Sequence, residues 1–337
     1  MMVFILMASS VQAQQQPWYS QYILNNFIIN PALAGIESYW DARASYRYQW
    51  QGIQGAPITY YASAQGPLRG DILEDESATT IHPQFNARGY DYWNNYQTAP
   101  SHFGIGFTLI NDKTGPLNNT SAKASLAYHL KVSRVTALSL GFSLGLQEIT
   151  LNTQNLYFGV QNPNDPAVFT QGSLNSIKPD LNLGLWYYSS KYFLGLSAQQ
   201  IIPQSLIFTE GQVQNPSIQK GTLVPHLFLQ GGYKILLNQD WSVLSSFTLR
   251  SISPLPLGFD LNAKFQYHDY FWMGGTYRFN SGYAAMIGFS TNFNILVGYS
   301  YDFNVSPLNS VAGGTHEINI GYLIRNRLRD RCPRNLW

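Results

Sequence analysis

Apolar residues recurring at every second position, in segment after segment, constrain this chain more than any other feature. Leu257, Phe259, Leu261, Ala263 and Phe265 alternate with Gly258, Asp260, Asn262, Lys264 and Gln266. Phe293, Ile295, Val297, Tyr299, Tyr301 and Phe303 alternate with Asn294, Leu296, Gly298, Ser300 and Asp302. Successive side chains of a strand point to opposite faces, so each segment has one greasy face and one polar or small face. Recurring segments of about ten such residues, on a chain that opens with an export-like leader, predict a transmembrane β-barrel. The fold class expected is all-β: an antiparallel barrel of about fourteen strands, with an N-terminal plug-like segment.

Composition agrees. Only 11% of residues are charged, against roughly 25% in an ordinary soluble domain. Aromatics reach 15%, with Tyr 23, Phe 19 and Trp 8, yet the mean hydropathy is only −0.15. A barrel's polar lumen dilutes its hydropathy, and its interfaces favour amphipathic rings. A secreted β-sandwich would carry more charge on its outer face. Residues 1–13 read as a signal peptide, with an apolar core at 3–7 and Val11-Gln12-Ala13 as the small-residue cleavage site, although no basic residue precedes Arg43. The lone Cys332 forbids an intramolecular disulfide. A net charge of +2 argues against a nucleic-acid partner.

Alternation bounded by turn residues predicts strands at 38–49, 57–65, 102–110, 120–130, 136–147, 179–188, 191–199, 223–237, 241–250, 257–266, 270–279, 283–291, 293–303 and 315–324. The connections at 132–135, 189–190, 238–240, 267–269 and 292 are short. Those at 148–178, 200–222, 251–256 and 304–314 are longer, with 280–282 a tight exception. Short turns face the periplasm in such barrels, and an even strand count puts both termini there. The expected layout is a signal peptide at 1–13, a luminal or periplasmic segment at 14–37, an outer-membrane barrel at 38–324 and a basic periplasmic tail at 325–337. The connection 66–101 does not fit: it is long and should face the periplasm, so it is either an insertion or hides a further strand.

Particular residues then point to a family. Gln16-Pro17-Trp18-Tyr19-Ser20-Gln21-Tyr22, Asn25, and Ile29-Asn30-Pro31-Ala32-Leu33-Ala34-Gly35 open the chain. Arg47-Tyr48-Gln49-Trp50-Gln51-Gly52, Gly55-Ala56-Pro57, Thr59 and Asn111-Asp112-Lys113-Thr114-Gly115 follow. Near the end come Trp272-Met273-Gly274-Gly275-Thr276-Tyr277-Arg278, Gly298-Tyr299-Ser300-Tyr301-Asp302 and Gly314-Thr315-His316-Glu317-Ile318. In order and spacing these motifs resemble the PorP/SprF family of the type IX secretion system of Bacteroidetes, over essentially the mature chain. The 66–101 connection is longer than is usual for that family. The resemblance implies an outer-membrane barrel that exports or anchors particular cargo, often large adhesins tied to gliding motility. Its partners would be that secreted cargo, secretion and gliding components, and the bilayer. It implies no catalytic residue and no cofactor.

The residues themselves carry few sites. The histidines His82, His102, His129, His226, His268 and His316 show no metal-ligand spacing, and there is no G-x-S-x-G elbow. Catalytic, cofactor and metal assignments are therefore none. Two features remain. The opening carries Trp18, Tyr19, Tyr22, Phe27, Asn30 and Pro31 in a segment too apolar to stay solvated. It is expected to be buried in or under the barrel, or to hold a partner as well. Arg43 and Arg47 share a strand face with Asp41, Ser45 and Gln49, and in the lumen they would meet Asp260, Asp302 or Glu317. A lipid-facing charge costs about 2–4 kcal/mol at mid-membrane, which favours the luminal placement. The barrel alone fits either a cargo-binding secretion component or a channel for small or hydrophobic solutes; the family resemblance favours the first.

Overall fold

The computed structural model describes residues 22, 25–68, 98–152, 173–206, 221–305 and 313–325, apart from 239, 254, 268–269, 280 and 292–293. Within them, barrel strands run Trp40–Tyr48 (β1), Ile58–Pro67 (β2), His102–Thr114 (β3), Leu117–Lys131 (β4), Ala137–Asn152 (β5), Ser173–Tyr188 (β6) and Tyr192–Gln199 (β7). After a small separate sheet of Gln204–Leu206 (β8) and Gly221–Leu223 (β9), the barrel resumes. Its remaining strands are His226–Leu236 (β10), Trp241–Ile252 (β11), Gly258–Tyr267 (β12), Phe271–Arg278 (β13), Gly282–Ser290 (β14), Ile295–Asn304 (β15) and Thr315–Ile324 (β16). Each pairs antiparallel with its chain neighbour, and β1 pairs with β16, so the fourteen strands close on themselves. Closure leaves no unpaired edge in the hydrocarbon, where an unsatisfied backbone group costs several kcal/mol. No described helix is long and apolar enough to cross a membrane.

Strand faces follow the pleat. On β5, Leu140, Phe142, Leu144 and Leu146 face out, while Ser139, Ser143 and Gln147 are buried inside. Among the described residues, the outward positions between the two ends carry no Asp, Glu, Lys or Arg. Aromatic pairs ring both ends of this apolar band. Tyr46–Tyr60 and Tyr277–Tyr283 (ring centroids 5.1 and 5.2 Å apart) lie toward the longer loops. Phe103–Tyr128 and Trp241–Tyr267 (4.7 and 4.8 Å) lie toward the short turns. An apolar belt between two aromatic girdles is the lipid-facing surface of a membrane barrel.

Three departures from the sequence reading have physical causes. Strands β3 to β6 extend past the expected ends on the longer-loop side, where polar residues such as Asn111–Thr114 and Asn118–Thr120 occupy both faces and erase the alternation. Pro179 is tolerated inside β6 because β7 pairs with β6 only at Leu183–Tyr188. The strand expected at 223–237 is broken after Leu223 by Pro225, so β10 begins at His226. At the connection 66–101, β2 pairs directly with β3, with no strand between them in the barrel. Both of its described ends lie at the short-turn end: Leu68 N–H donates to Phe103 O, and Thr98 N–H to Arg134 O (both 2.8 Å). Most of that connection, the leader 1–13, Trp18, Tyr19 and the tail beyond Arg325 lie outside the described residues.

Candidate functional site

The segment ahead of β1 lies inside the barrel. It forms two 3-10 turns, Asn26–Ile28 and Pro31–Leu33. Asn30 caps the second, accepting from the Ala32 N–H at 3.0 Å, and Pro31 sits at the first turn position, where its missing N–H costs nothing. Phe27, Ile28, Ile29, Ala32, Leu33 and Ala34 are buried. Burial contributes about 1.5–3 kcal/mol for each of the larger side chains.

Polar groups then fasten this segment to strand after strand. Gly35 N–H donates to Gln65 of β2 (3.1 Å), and the Gly35 carbonyl meets His102 Nε2 of β3 (3.0 Å). The Ala34 carbonyl meets His129 Nε2 of β4 (2.8 Å), and the Ala32 carbonyl accepts from Ser139 of β5 (2.6 Å). Asn30 Nδ2 donates to Leu185 O of β6 and Leu196 O of β7, both at 3.1 Å. Gln199 of β7 donates to the carbonyls of Ile28 and Ile29, at 2.9 and 2.7 Å. Higher in the lumen, Asn26 accepts from Gln230 of β10 (2.8 Å), Asn25 donates to Ser63 of β2 (2.9 Å), and Tyr22 Oη accepts from Asn262 of β12 (2.8 Å). The contacts thus climb from the short-turn rim at Gly35 to mid-lumen at Tyr22.

The wall is shaped to receive it. Inward-facing glycines sit where the segment comes closest. A Cβ on Gly104 would fall 1.9 Å from Ala34 O, one on Gly106 2.4 Å from the Phe27 ring, and one on Gly141 2.4 Å from Ala32 Cα. One on Gly184 would lie 2.0 Å from Asn30 Oδ1. Gly35 itself has φ +74 and lies against Gly104 Cα, a backbone shape and a closeness that only glycine meets cheaply.

A charged layer lies above the segment. Arg47 of β1 bridges Asp302 of β15 (3.0 Å) and Glu317 of β16 (3.1 Å), and Arg278 of β13 adds a second cation to Asp302 (2.9 Å). Arg47 and Glu317 face each other directly in the β1–β16 register, so this ion pair spans the closing seam. Arg43 is held by Asp41, two residues away on the same face, which takes its guanidinium at 2.7 Å. Asp260 stands opposite Arg278 in the β12–β13 ladder. Across the lumen, Lys123 of β4 pairs with Asp180 of β6 at 2.8 Å.

Together the segment and the charged layer occupy the interior and cover the wall side chains they meet. On every barrel strand at least one inward side chain near mid-height is buried, from Arg43 and Ser63 on β1 and β2 round to Ser300 and Asn319 on β15 and β16. In a water-filled pore those side chains would be solvated. Among the described residues no group of His, Cys, Asp or Glu is arranged to hold a metal ion. The sequence reading missed the wall's part in this site: His102 and His129, directly opposite in the β3–β4 ladder, stack at 4.6 Å beneath the segment. A readable signal was present in the inward glycines of β3, Gly104 and Gly106, at positions where a strand otherwise places a side chain.

Among solved structures, the chain is similar to the Ralstonia pickettii toluene transporter TbuX, with TM-score 0.49, 11% identity, and 90% of this chain and 93% of that chain covered. The Acinetobacter baumannii outer membrane protein Omp33 gives TM-score 0.46 and 8% identity over 86% and 100% of the two chains. A Pseudomonas aeruginosa FadL homologue gives 0.46 and 11% over 89% and 93%. No curated protein sequence matches the chain significantly. The family model for the type IX secretion system membrane protein PorP/SprF matches residues 11–322, nearly the whole of this closed barrel with its internal segment, and the chain belongs to that family.

Proposed function

We propose that this outer-membrane barrel acts without catalysing a reaction, as the component of the type IX system that supports export or surface anchoring of specific large proteins, such as gliding adhesins. The observation that carries the reading is the family match across residues 11–322 on a barrel in which every strand has a buried inward side chain near mid-height. A filled lumen suits a receptor or anchor and counts against the alternative, a channel for small or hydrophobic solutes. The longer loops then face outward to meet cargo. The short turns, both termini, the 66–101 connection and the basic tail 325–337 face the periplasm and its secretion and gliding components.

Deleting the gene tests this. Surface proteomics of the deletion strain should show one or a few large secreted proteins missing from the cell surface, with small-solute uptake unchanged. An unchanged surface proteome together with impaired solute uptake would replace the reading with the channel.

A further inference from the structure

The segment inside the barrel looks at first like a plug, and plugs are often displaced to open a path. Three observations speak against displacement here. Its polar contacts are distributed over β2, β3, β4, β5, β6, β7, β10 and β12, so no single strand movement or local hinge releases it. The wall glycines Gly104, Gly106, Gly141 and Gly184 leave room shaped to the segment, and its departure would strip the His129 Nε2, the Ser139 hydroxyl and the Gln199 amide of the carbonyl partners it supplies. The segment also continues directly into β1, whose Arg47 holds Glu317 and Asp302 across the closing seam, so pulling it strains the one seam that closes the barrel.

We infer that Tyr22 and residues 25–35 stay seated throughout the protein's work, so that a secreted polypeptide meets this barrel at its extracellular end and never passes through its lumen. This rests on the proposed role in handling secreted proteins and specifies where the handling occurs. The segment is a structural core of the barrel, equivalent to the packed interior of a soluble protein.

A covalent lock tests it. In a Cys332→Ser background, Asn25→Cys and Ser63→Cys replace side chains that touch at 2.9 Å. A short thiol-bridging reagent applied to cells joins them, and mass spectrometry gives the bridged fraction. A second pair, Asn26→Cys with Gln230→Cys, spans the 2.8 Å contact to β10 and serves if the first assembles poorly. With nearly all of the protein bridged, surface display of the affected proteins should stay within about twofold of the unbridged cells. A loss of display in proportion to the bridged fraction would overturn the inference and make the lumen a path. The deletion strain, measured in parallel, separates this failure from a failure of the functional reading: no loss on deletion refutes the role itself, whatever the lock does.

Discussion

Asn30 shows how much one side chain does here. Its Oδ1 caps a 3-10 turn while its Nδ2 is shared by the carbonyls of Leu185 and Leu196, which face each other across the β6–β7 ladder. That ladder has six residue pairs, the shortest in the barrel. Asn30→Leu keeps the volume and loses all three bonds, at about 1 kcal/mol each. The transition from folded to heat-modified barrel on gels in urea should shift by the equivalent of about 2–4 kcal/mol, and an unshifted transition would mean that these bonds are not formed. Asp302 is the second such residue, because it serves Arg47 and Arg278 together. A buried ion pair adds little net stability, but removing one partner leaves the other charge uncompensated, at about 3–5 kcal/mol. Asp302→Ala should therefore destabilise strongly in the same assay, and adding Arg278→Met should recover part of the loss.

Among the strands, the glycines separate two surfaces. Gly104 faces the segment, whereas Gly275 faces out, and a Cβ there would come no nearer than 3.7 Å to the Ala284 carbonyl. Gly104→Val should block seating of the segment and lower the yield of folded barrel several-fold, while Gly275→Val leaves the yield near native. Equal yields would show that the segment does not sit against β3. Much of this scale was legible in the sequence. Segments such as Thr315–Ile324 have one apolar and one polar face, which fixes both their type and their register against lipid. The upper parts of β3 to β6 were not legible, because above the membrane neither face must be apolar. The short β8–β9 pair was not legible either, since three residues are too few to show a period. At the site, the apolar density of Phe27 to Leu33 announced burial, and the charge of Arg47 announced a luminal partner in Asp302 and Glu317. Arg43 also takes Asp41, two residues along the same face, a pair that needs no strand to be crossed. The partners on the wall stayed hidden, because an isolated Ser, Gln or His on an inward face looks the same whether it meets water or another chain segment.

For the molecule as a whole, a barrel of fourteen strands leaves an interior too wide for wall side chains alone to fill. This chain occupies it with its own Tyr22 and residues 25–35 and with the layer of Arg47, Asp302, Glu317 and Arg278 above them. What remains for partners is the outside: a lipid band, a rim of short turns and a rim of longer loops. The account therefore stands on a closed lumen, and conductance measures that directly. The purified full-length protein inserted in planar bilayers should give no steady pore current in molar salt. A stable, solute-selective open channel in every insertion would contradict it.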